Sequence, residues 1–173
     1  MRDVLRMNYL FSRNRVSYIT KHFFQWSFDK PDDFLPEKTL FEKLDHPADL
    51  HYLASIYNWD DDPVVLEWIL ESPLCTRSTA NLIFWRAAPD YYLRYSLDDP
   101  TACPDGDKRV LSILRKIVAK YAAGQFSAFQ IKFDPADEME TIMTAQPKWS
   151  FPAGVYDRIE GAELLMKPWW RFW

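Results

Sequence analysis

Apolar residues recur at helical spacing over most of the chain. The clearest stripe is Leu50, Leu53, Ala54 and Tyr57, which occupy positions i, i+3, i+4 and i+7 and therefore share one face of a helix. This stripe leads into an aromatic and acidic corner at residues 58–62. Similar stripes predict further helices over about residues 15–26, just after Pro36, and over about 64–71, 76–87, 107–123 and 134–143.

N-cap residues mark where several of these helices begin. Asn14 is a candidate cap for the first helix, Asp107 for the longest one, and Thr76 or Ser78 for the helix between them. Asp62 followed by Pro63 combines a cap with a proline in the first turn, where a missing N–H costs nothing.

Short connections between successive helices favour antiparallel neighbours. Partial alternation of apolar and polar residues over 126–133 is compatible with one short extended segment. We therefore expect a mainly α protein of about six to seven short helices, stacked as antiparallel αα-hairpins. At 173 residues the chain fits a single domain spanning 1–173, with an aromatic C-terminal tail over 146–173.

Charge is unevenly distributed along the chain. The net charge is -4, yet residues 29–107 together carry -11, and both flanking segments are basic. Because affinity for phosphate comes from Lys and Arg, this pattern argues against a nucleic-acid partner and favours a basic protein partner. The alternative is that the acids cap helices and form a solvated surface.

Composition excludes several classes of site. Glycine is scarce, with 4 residues, so a glycine-rich phosphate loop is absent. Cys75 and Cys103 lack a CxxC partner, which predicts free, reduced thiols, and we expect neither a metal nor another cofactor. We expect Cys75 to be a small buried apolar residue rather than a nucleophile. No stretch is apolar enough for a membrane span and no signal peptide is recognisable at the N-terminus, so we expect a cytoplasmic protein without stable membrane insertion.

The corner after the first clear stripe supplies the residue types of acid–base chemistry. Asp60 and Asp61 adjoin each other, and His46 and His51 precede them. The two histidines are five residues apart, which is not the i, i+4 spacing of a helical metal pair, and adjacent aspartates on a turn point in different directions. We therefore expect a structural corner, with His51 hydrogen-bonded and partly buried, that borders a recognition surface.

The last seven residues, 167–173, combine Trp169 and Trp170 with two cations. The segment is too short for an amphipathic membrane anchor. Two interpretations remain open, because Trp and Arg are frequent both in packed grooves and in binding hot spots: the segment packs back across the domain, or it contacts a partner.

Three sequence blocks resemble a family of small bacterial domains of unknown function. They are Leu-His-x-Leu-Ala-x-x-Tyr-Asn-Trp-Asp-Asp from residue 50, Pro-Leu-Cys from 73 with Thr-Ala-x-Leu-x-Phe-Trp from 79, and Ile-x-Phe-Asp-Pro from 131. The resemblance covers about residues 45–136. Such domains occur among the genes of polymorphic-toxin loci, so the resemblance implies a bacterial source and an immunity role, but no reaction. Asp62 stands where a glycine is expected.

Two hypotheses of different classes follow. The first is an immunity protein that binds a basic toxin domain through an acidic and aromatic surface formed by Tyr57, Asn58, Trp59, Asp60, Asp61, Asp98, Asp99, Trp169 and Trp170. The alternative is a small hydrolase or transferase that uses Asp60, Asp61 and a histidine. Oligomeric state is left open by the sequence.

Overall fold

Most of the helices form where the apolar stripes predict them. The computed structural model describes residues 8–24, 35–139 and 147–166. Within these residues there are seven α-helices and one small sheet, which confirms the mainly α class. The helices are α1 (Arg13–Phe23), α2 (Lys38–Phe41), α3 (Pro47–Ile56), α4 (Val64–Glu71), α5 (Arg77–Arg86), α6 (Pro89–Tyr92) and α7 (Lys108–Ala123), and the strands are β1 (Asn8–Phe11) and β2 (Glu163–Met166).

The cap predicted for α5 is correct, and the cap predicted for α4 is displaced by one residue. The N-cap residue of α4 is Pro63, and Oδ1 of Asp62, just before it, accepts the N–H of Val64 at 3.1 Å. The Thr76 hydroxyl accepts the N–H of Thr79 at 3.0 Å and caps α5. The C-terminal stop of α7 is Gly124, whose φ of 63° is the left-handed conformation that glycine adopts without strain.

Other boundaries differ from the sequence predictions. The cap of α1 is Ser12 rather than Asn14, because the Ser12 side chain accepts the N–H of Arg15. Asp107 is the N-cap residue of α7 as predicted, but its side chain accepts no N–H of the helix; its carboxylate accepts a hydrogen bond from the Tyr91 hydroxyl. The helix predicted over 134–143 is a single 3-10 turn at Pro135–Asp137, and residues 140–146 lie outside the described part of the chain.

Helices α3 and α5 form the centre of the core. The first eight residues of α3, from Pro47 to Ala54, are all buried, as are eight consecutive residues of α5, from Ser78 to Trp85. The two helices pack on each other, α1 and α4 pack on α3, and α7 packs on α4 and α5. A helix that is buried all round must lie inside the fold. Helices α3 and α5 therefore form a rigid centre on which the other helices pack.

The two strands lie far apart in sequence. β1 and β2 pair in parallel, with Asn8 opposite Glu163 and Phe11 opposite Met166. The segment predicted to be extended, 126–133, contributes isolated bridges from Ser127, Ile131 and Phe133 rather than a regular strand.

Residues 147–166, within the segment predicted as an aromatic tail, pack against the core. Val155 is fully buried, and its carbonyl accepts a hydrogen bond from the Trp85 indole at 2.9 Å. Gly161 is required where this segment crosses residues 130–131, because a Cβ at Gly161 would lie 2.5 Å from the Gln130 carbonyl carbon. The end of the predicted tail, residues 167–173 with Trp169 and Trp170, lies outside the described residues.

Candidate functional site

The corner that follows α3 is held together by its own polar groups. The Tyr57 hydroxyl donates to the Asp62 carbonyl, and the Asn58 side chain accepts the N–H of Asp60 at 3.2 Å. Asn58 also accepts the N–H of Asp61 through its carbonyl at 3.2 Å. These bonds close the turn locally, as Asn and Asp do in many turns. The interpretation as a structural corner is therefore correct for Asn58.

Aromatic packing fixes the corner against the core. The Trp59 ring packs edge to face on Tyr57, with ring centroids 6.5 Å apart, and both contact the hydrophobic core. Burial and the nearby Asp61 carboxylate raise the pKa of Tyr57, so its hydroxyl stays protonated and can donate to Asp62. Trp59 is half-buried and Asp60 is exposed, so the corner presents an aromatic edge beside a carboxylate.

The N-terminal end of α7 joins this corner to the loop after α6. Arg109 in the first turn of α7 forms an ion pair with Asp62. Just before α7, the Asp107 carboxylate accepts a hydrogen bond from the Tyr91 hydroxyl at 3.1 Å, and the Tyr95 ring packs on Tyr91 with centroids 5.9 Å apart. Two segments that are separated in sequence therefore meet at one end of α7.

We call residues 57–62 and 90–109 together the acidic face. It carries eight acids against three bases, Arg94, Lys108 and Arg109. Asp98 and Asp99 are exposed, as the partner-binding hypothesis requires. Hydrogen bonds from the hydroxyl and N–H of Thr101 lower the pKa of Asp99, so this carboxylate is charged at neutral pH.

The histidines lie away from the carboxylates of the corner. His46 begins α3, where its Nδ1 accepts the N–H of Ala48 at 3.1 Å and its ring stacks on Tyr9 at 4.2 Å. His46 is thus about 16 Å along the helix axis from Tyr57, at 1.5 Å per residue. Among the described residues, Asp60 forms no hydrogen bond or ion pair with His46 or His51.

His51 is buried in the middle of α3. A hydrogen bond of 3.1 Å joins its Nδ1 to the Thr79 hydroxyl on α5, which confirms the hydrogen-bonded role expected for it. Burial and the Arg86 guanidinium lower the pKa of His51 to about 4, so the ring is neutral at pH 7. Burial likewise raises the pKa of Cys75 to about 12, which removes this thiol as a nucleophile and confirms that it is a buried apolar residue.

A cleft that the sequence does not reveal lies between α3 and β2. One part, of about 700 Å³, is lined by all four residues of β2, by Phe11, by the C-terminal half of α3 and by residues 131–132. A second part, of about 260 Å³, shares His51, Ser55 and Lys132 with the first and continues to residues 133–138. We call the two parts together the β2 cleft.

Over residues 8–24, 35–139 and 147–166, no cluster of His, Cys, Asp and Glu has an arrangement that could hold a metal ion. Within the same residues, no helix has the length and hydrophobicity needed to cross a bilayer.

Comparison with known proteins gives one match. A family model described as "Domain of unknown function (DUF4274)" matches residues 45–122, which run from just before α3 almost to the end of α7. No curated protein and no solved structure matches the chain. The matched region contains the α3–α5 centre, the corner and the acidic face, whereas both strands and the β2 cleft's outer wall lie outside it.

Proposed function

We propose that the protein is a binding module whose acidic face recognises a basic partner protein, most concretely as an immunity protein that neutralises a toxin domain. The observation that carries the proposal is the junction at α7. The ion pair of Arg109 with Asp62 joins the corner to the N-terminal end of α7. The hydrogen bond from Tyr91 to Asp107 joins the loop after α6 to the same end, so the charges of two separate segments lie close together.

Part of this charge is already used inside the protein. Asp62 pairs with Arg109, and Asp105 pairs with Lys108 at 2.6 Å. Asp60, Asp98 and Asp99 are exposed and form no ion pair among the described residues. Exposed charges of one sign speed the encounter with an oppositely charged protein, so these three carboxylates favour fast association with a basic surface.

The aromatic residues beside the charges suit the centre of an interface. Trp59 and Tyr95 are half-buried and Tyr91 is exposed, so their rings are partly held by the fold before any partner arrives. Rigid aromatic side chains lose little conformational entropy on binding, and Trp and Tyr are enriched among the residues that contribute most to affinity.

Co-expression and binding with the products of the adjacent genes test the proposal. We expect one of these products to be toxic alone, to be tolerated when the present protein is co-expressed, and to form a one-to-one complex with it. Failure to bind or protect against any of them would remove the immunity role.

Charge reversal locates the interface. Asp60→Lys combined with Asp98→Lys is expected to slow association about tenfold at low salt, because the steering charges are inverted. Glu37→Lys combined with Glu42→Lys, at two exposed positions outside the acidic face, makes the same change in net charge and is expected to leave the association rate nearly unaltered. Equal slowing by both variants would show that only net charge matters.

Trp59→Phe tests the aromatic part of the interface. The indole N–H of Trp59 is buried and has no acceptor among the described residues, so its removal is expected to cost the fold little. Phe keeps a ring against Tyr57 but is smaller, which is expected to speed dissociation of the complex. An unchanged dissociation rate would place Trp59 outside the interface.

A further inference from the structure

β2 is paired along one edge and open along part of the other. β1 runs beside it over all four residues. Just before β2, Ala162 donates its N–H to the Gln130 carbonyl at 2.9 Å and accepts the N–H of Lys132 at 3.0 Å, so its backbone faces residues 130–132. This second pairing stops at Ala162: within the described residues, no strand continues it beside Glu163–Met166.

The open edge faces the β2 cleft. In a parallel ladder, successive residues of a strand turn their N–H and C=O groups to opposite sides, so residues two apart face the same side. Ala162 faces residues 130–132, and Leu164 and Met166 therefore turn their backbone groups to that same side. Ile131, Lys132 and all of β2 line the cleft, which places it along the open edge.

The cleft is apolar along most of this edge. Tyr52 and Ile56 of α3 line it, and Phe11 lines it from β1, on the paired side of β2. Leu165 and Met166 are exposed by 40% and 51%, which is unusual for large apolar side chains in a folded protein when they are grouped. A row of free backbone groups beside apolar side chains is the surface to which an added strand binds.

The other end of the cleft, at the start of β2, is polar. At this end Arg86 forms a two-point ion pair with Glu138, with both contacts at 2.9 Å. Lys132 forms an ion pair with Glu163 at 2.6 Å, so both cations are neutralised. Asp134 and Asp137 also line this end. Asp134 accepts the N–H of Ala136 at 3.1 Å, and its ion pair with Arg158 is long at 3.7 Å, so the two aspartates leave excess negative charge that complements a basic side chain.

We propose that the β2 cleft binds an extended peptide segment of a partner protein by strand addition to β2, with apolar side chains along Leu164–Met166 and a basic side chain beside Asp134 and Asp137. Four residues of β2 extend about 13 Å, so a segment of about five residues fills the edge. The larger part of the cleft, about 700 Å³, is in the range of sites that enclose ligands of this size.

Two synthetic peptides test the proposal on the full chain: acetyl-Arg-Thr-Val-Ile-Val-amide and its reversed sequence, since the added strand can run in either direction. We expect one of them to bind. Amide exchange measured by NMR is expected to slow at Leu164 and Met166 on binding, because these N–H groups gain acceptors. Absence of binding by both peptides, or binding without this protection, would overturn the proposal.

N-methylation of the peptide distinguishes strand addition from simple apolar contact. Methylation at alternate residues removes either the N–H groups that face β2 or those that face solvent. We expect one pattern to weaken binding about fivefold or more for each lost hydrogen bond and the other to leave it unchanged. Equal effects of the two patterns would refute pairing with β2.

Matched variants locate the peptide in the cleft. Met166→Asp is expected to abolish binding, whereas Leu10→Asp, at a position 53% exposed on β1 outside the cleft, is expected to preserve it. Asp137→Lys is expected to weaken binding of the basic peptide. Loss of binding with Leu10→Asp but not with Met166→Asp would contradict the proposed edge.

Two controls separate this proposal from other occupants and from the acidic face. The combined change Asp60→Lys and Asp98→Lys is expected to leave peptide binding unaltered, so failure of the toxin experiments does not affect this one. Binding that appears only after the chain is shortened at Met166 would show that the chain's own C-terminal residues compete for the cleft, and would overturn the assignment to a partner.

Discussion

His51 provides a quantitative test of how α3 and α5 are joined. The ring is buried, bonded to Thr79 and close to Arg86, and its pKa is lowered to about 4 from the ordinary value of 6.5. The unfolded chain therefore takes up a proton near pH 6.5, whereas the folded protein takes it up only near pH 4. Stability from this group is fully present above pH 6.5 and is lost as the pH falls through this window.

The size of the effect follows from the two pKa values. Protonation of His51 in the unfolded chain lowers the free energy of unfolding by about 2 kcal/mol at pH 5, compared with pH 8. At pH 4 the decrease from this one group is about 3 kcal/mol. His51→Asn is the matched variant, because the Asn amide can replace Nδ1 in the bond to the Thr79 hydroxyl but does not titrate.

Urea unfolding, followed by tryptophan fluorescence between pH 8 and pH 4, measures this difference. Other groups titrate as well, including Asp49, whose pKa burial raises, but they are common to both proteins. We expect the free energy of unfolding of the wild type to fall about 3 kcal/mol more than that of His51→Asn by pH 4. Parallel pH profiles would refute a buried, neutral His51.

Three further predictions concern packing and buried groups. Gly161→Ala is expected to cost about 2 kcal/mol of unfolding free energy, because the new Cβ meets backbone atoms at 2.5 Å, while Gly106→Ala, with nothing within 4 Å, is expected to be nearly neutral. Iodoacetamide at pH 8 is expected to label Cys75 only when the protein unfolds, and rapid labelling in native buffer would contradict its burial. Arg15→Met is expected to cost about 3 kcal/mol in thermal or urea unfolding, because Arg15 lies 3.5 Å from the fully buried Asp49 carboxylate; Asp49→Leu added to it should restore stability.

The local parts of the fold could be predicted from the sequence because their causes are local. The stripe from Leu50 to Tyr57 places α3, and the Asp62 carboxylate accepts the N–H of Val64, the first residue of α4. Such signals depend on spacing along one helix and on side chains that reach their own backbone. The same reasoning predicted Asn14 as the cap of α1 and was wrong, because Ser12 has that role. It placed Asp107 correctly at the N-cap of α7, but the Asp107 carboxylate binds the Tyr91 hydroxyl and not an N–H of the helix.

The sheet and the C-terminal segment could not be predicted in this way. Pairing of β1 with β2 joins residues about 155 positions apart, and four-residue strands carry too little alternation to be recognised. Residues 147–166 are rich in proline and aromatic residues, which is also the composition of a loop or tail. Their packing against the core depends on contacts such as the bond from Trp85 to the Val155 carbonyl, which no local pattern indicates.

The candidate site was predictable only in pieces for the same reason. The sequence identifies Asp60 and Asp98 as acidic positions. It does not predict that their segments lie close together, because this depends on contacts that Arg109 and Asp107 make across the fold. The β2 cleft gave no sequence signal, since its walls come from β1, α3, β2 and the 131–138 segment.

Helix α3 connects the two surfaces physically. Its C-terminal half supplies Ser55 and Ile56 to the β2 cleft, and the chain then turns directly into the corner that begins the acidic face. Arg86 from α5 donates to the Ser55 carbonyl at 2.5 Å, which fixes the last turn of α3 from the cleft side. The β2 cleft and the corner of the acidic face therefore both adjoin α3, a helix that is buried over eight residues. A surface held this rigidly loses little conformational entropy when a partner binds, so its exposed charges and rings can contribute most of their interaction energy to affinity.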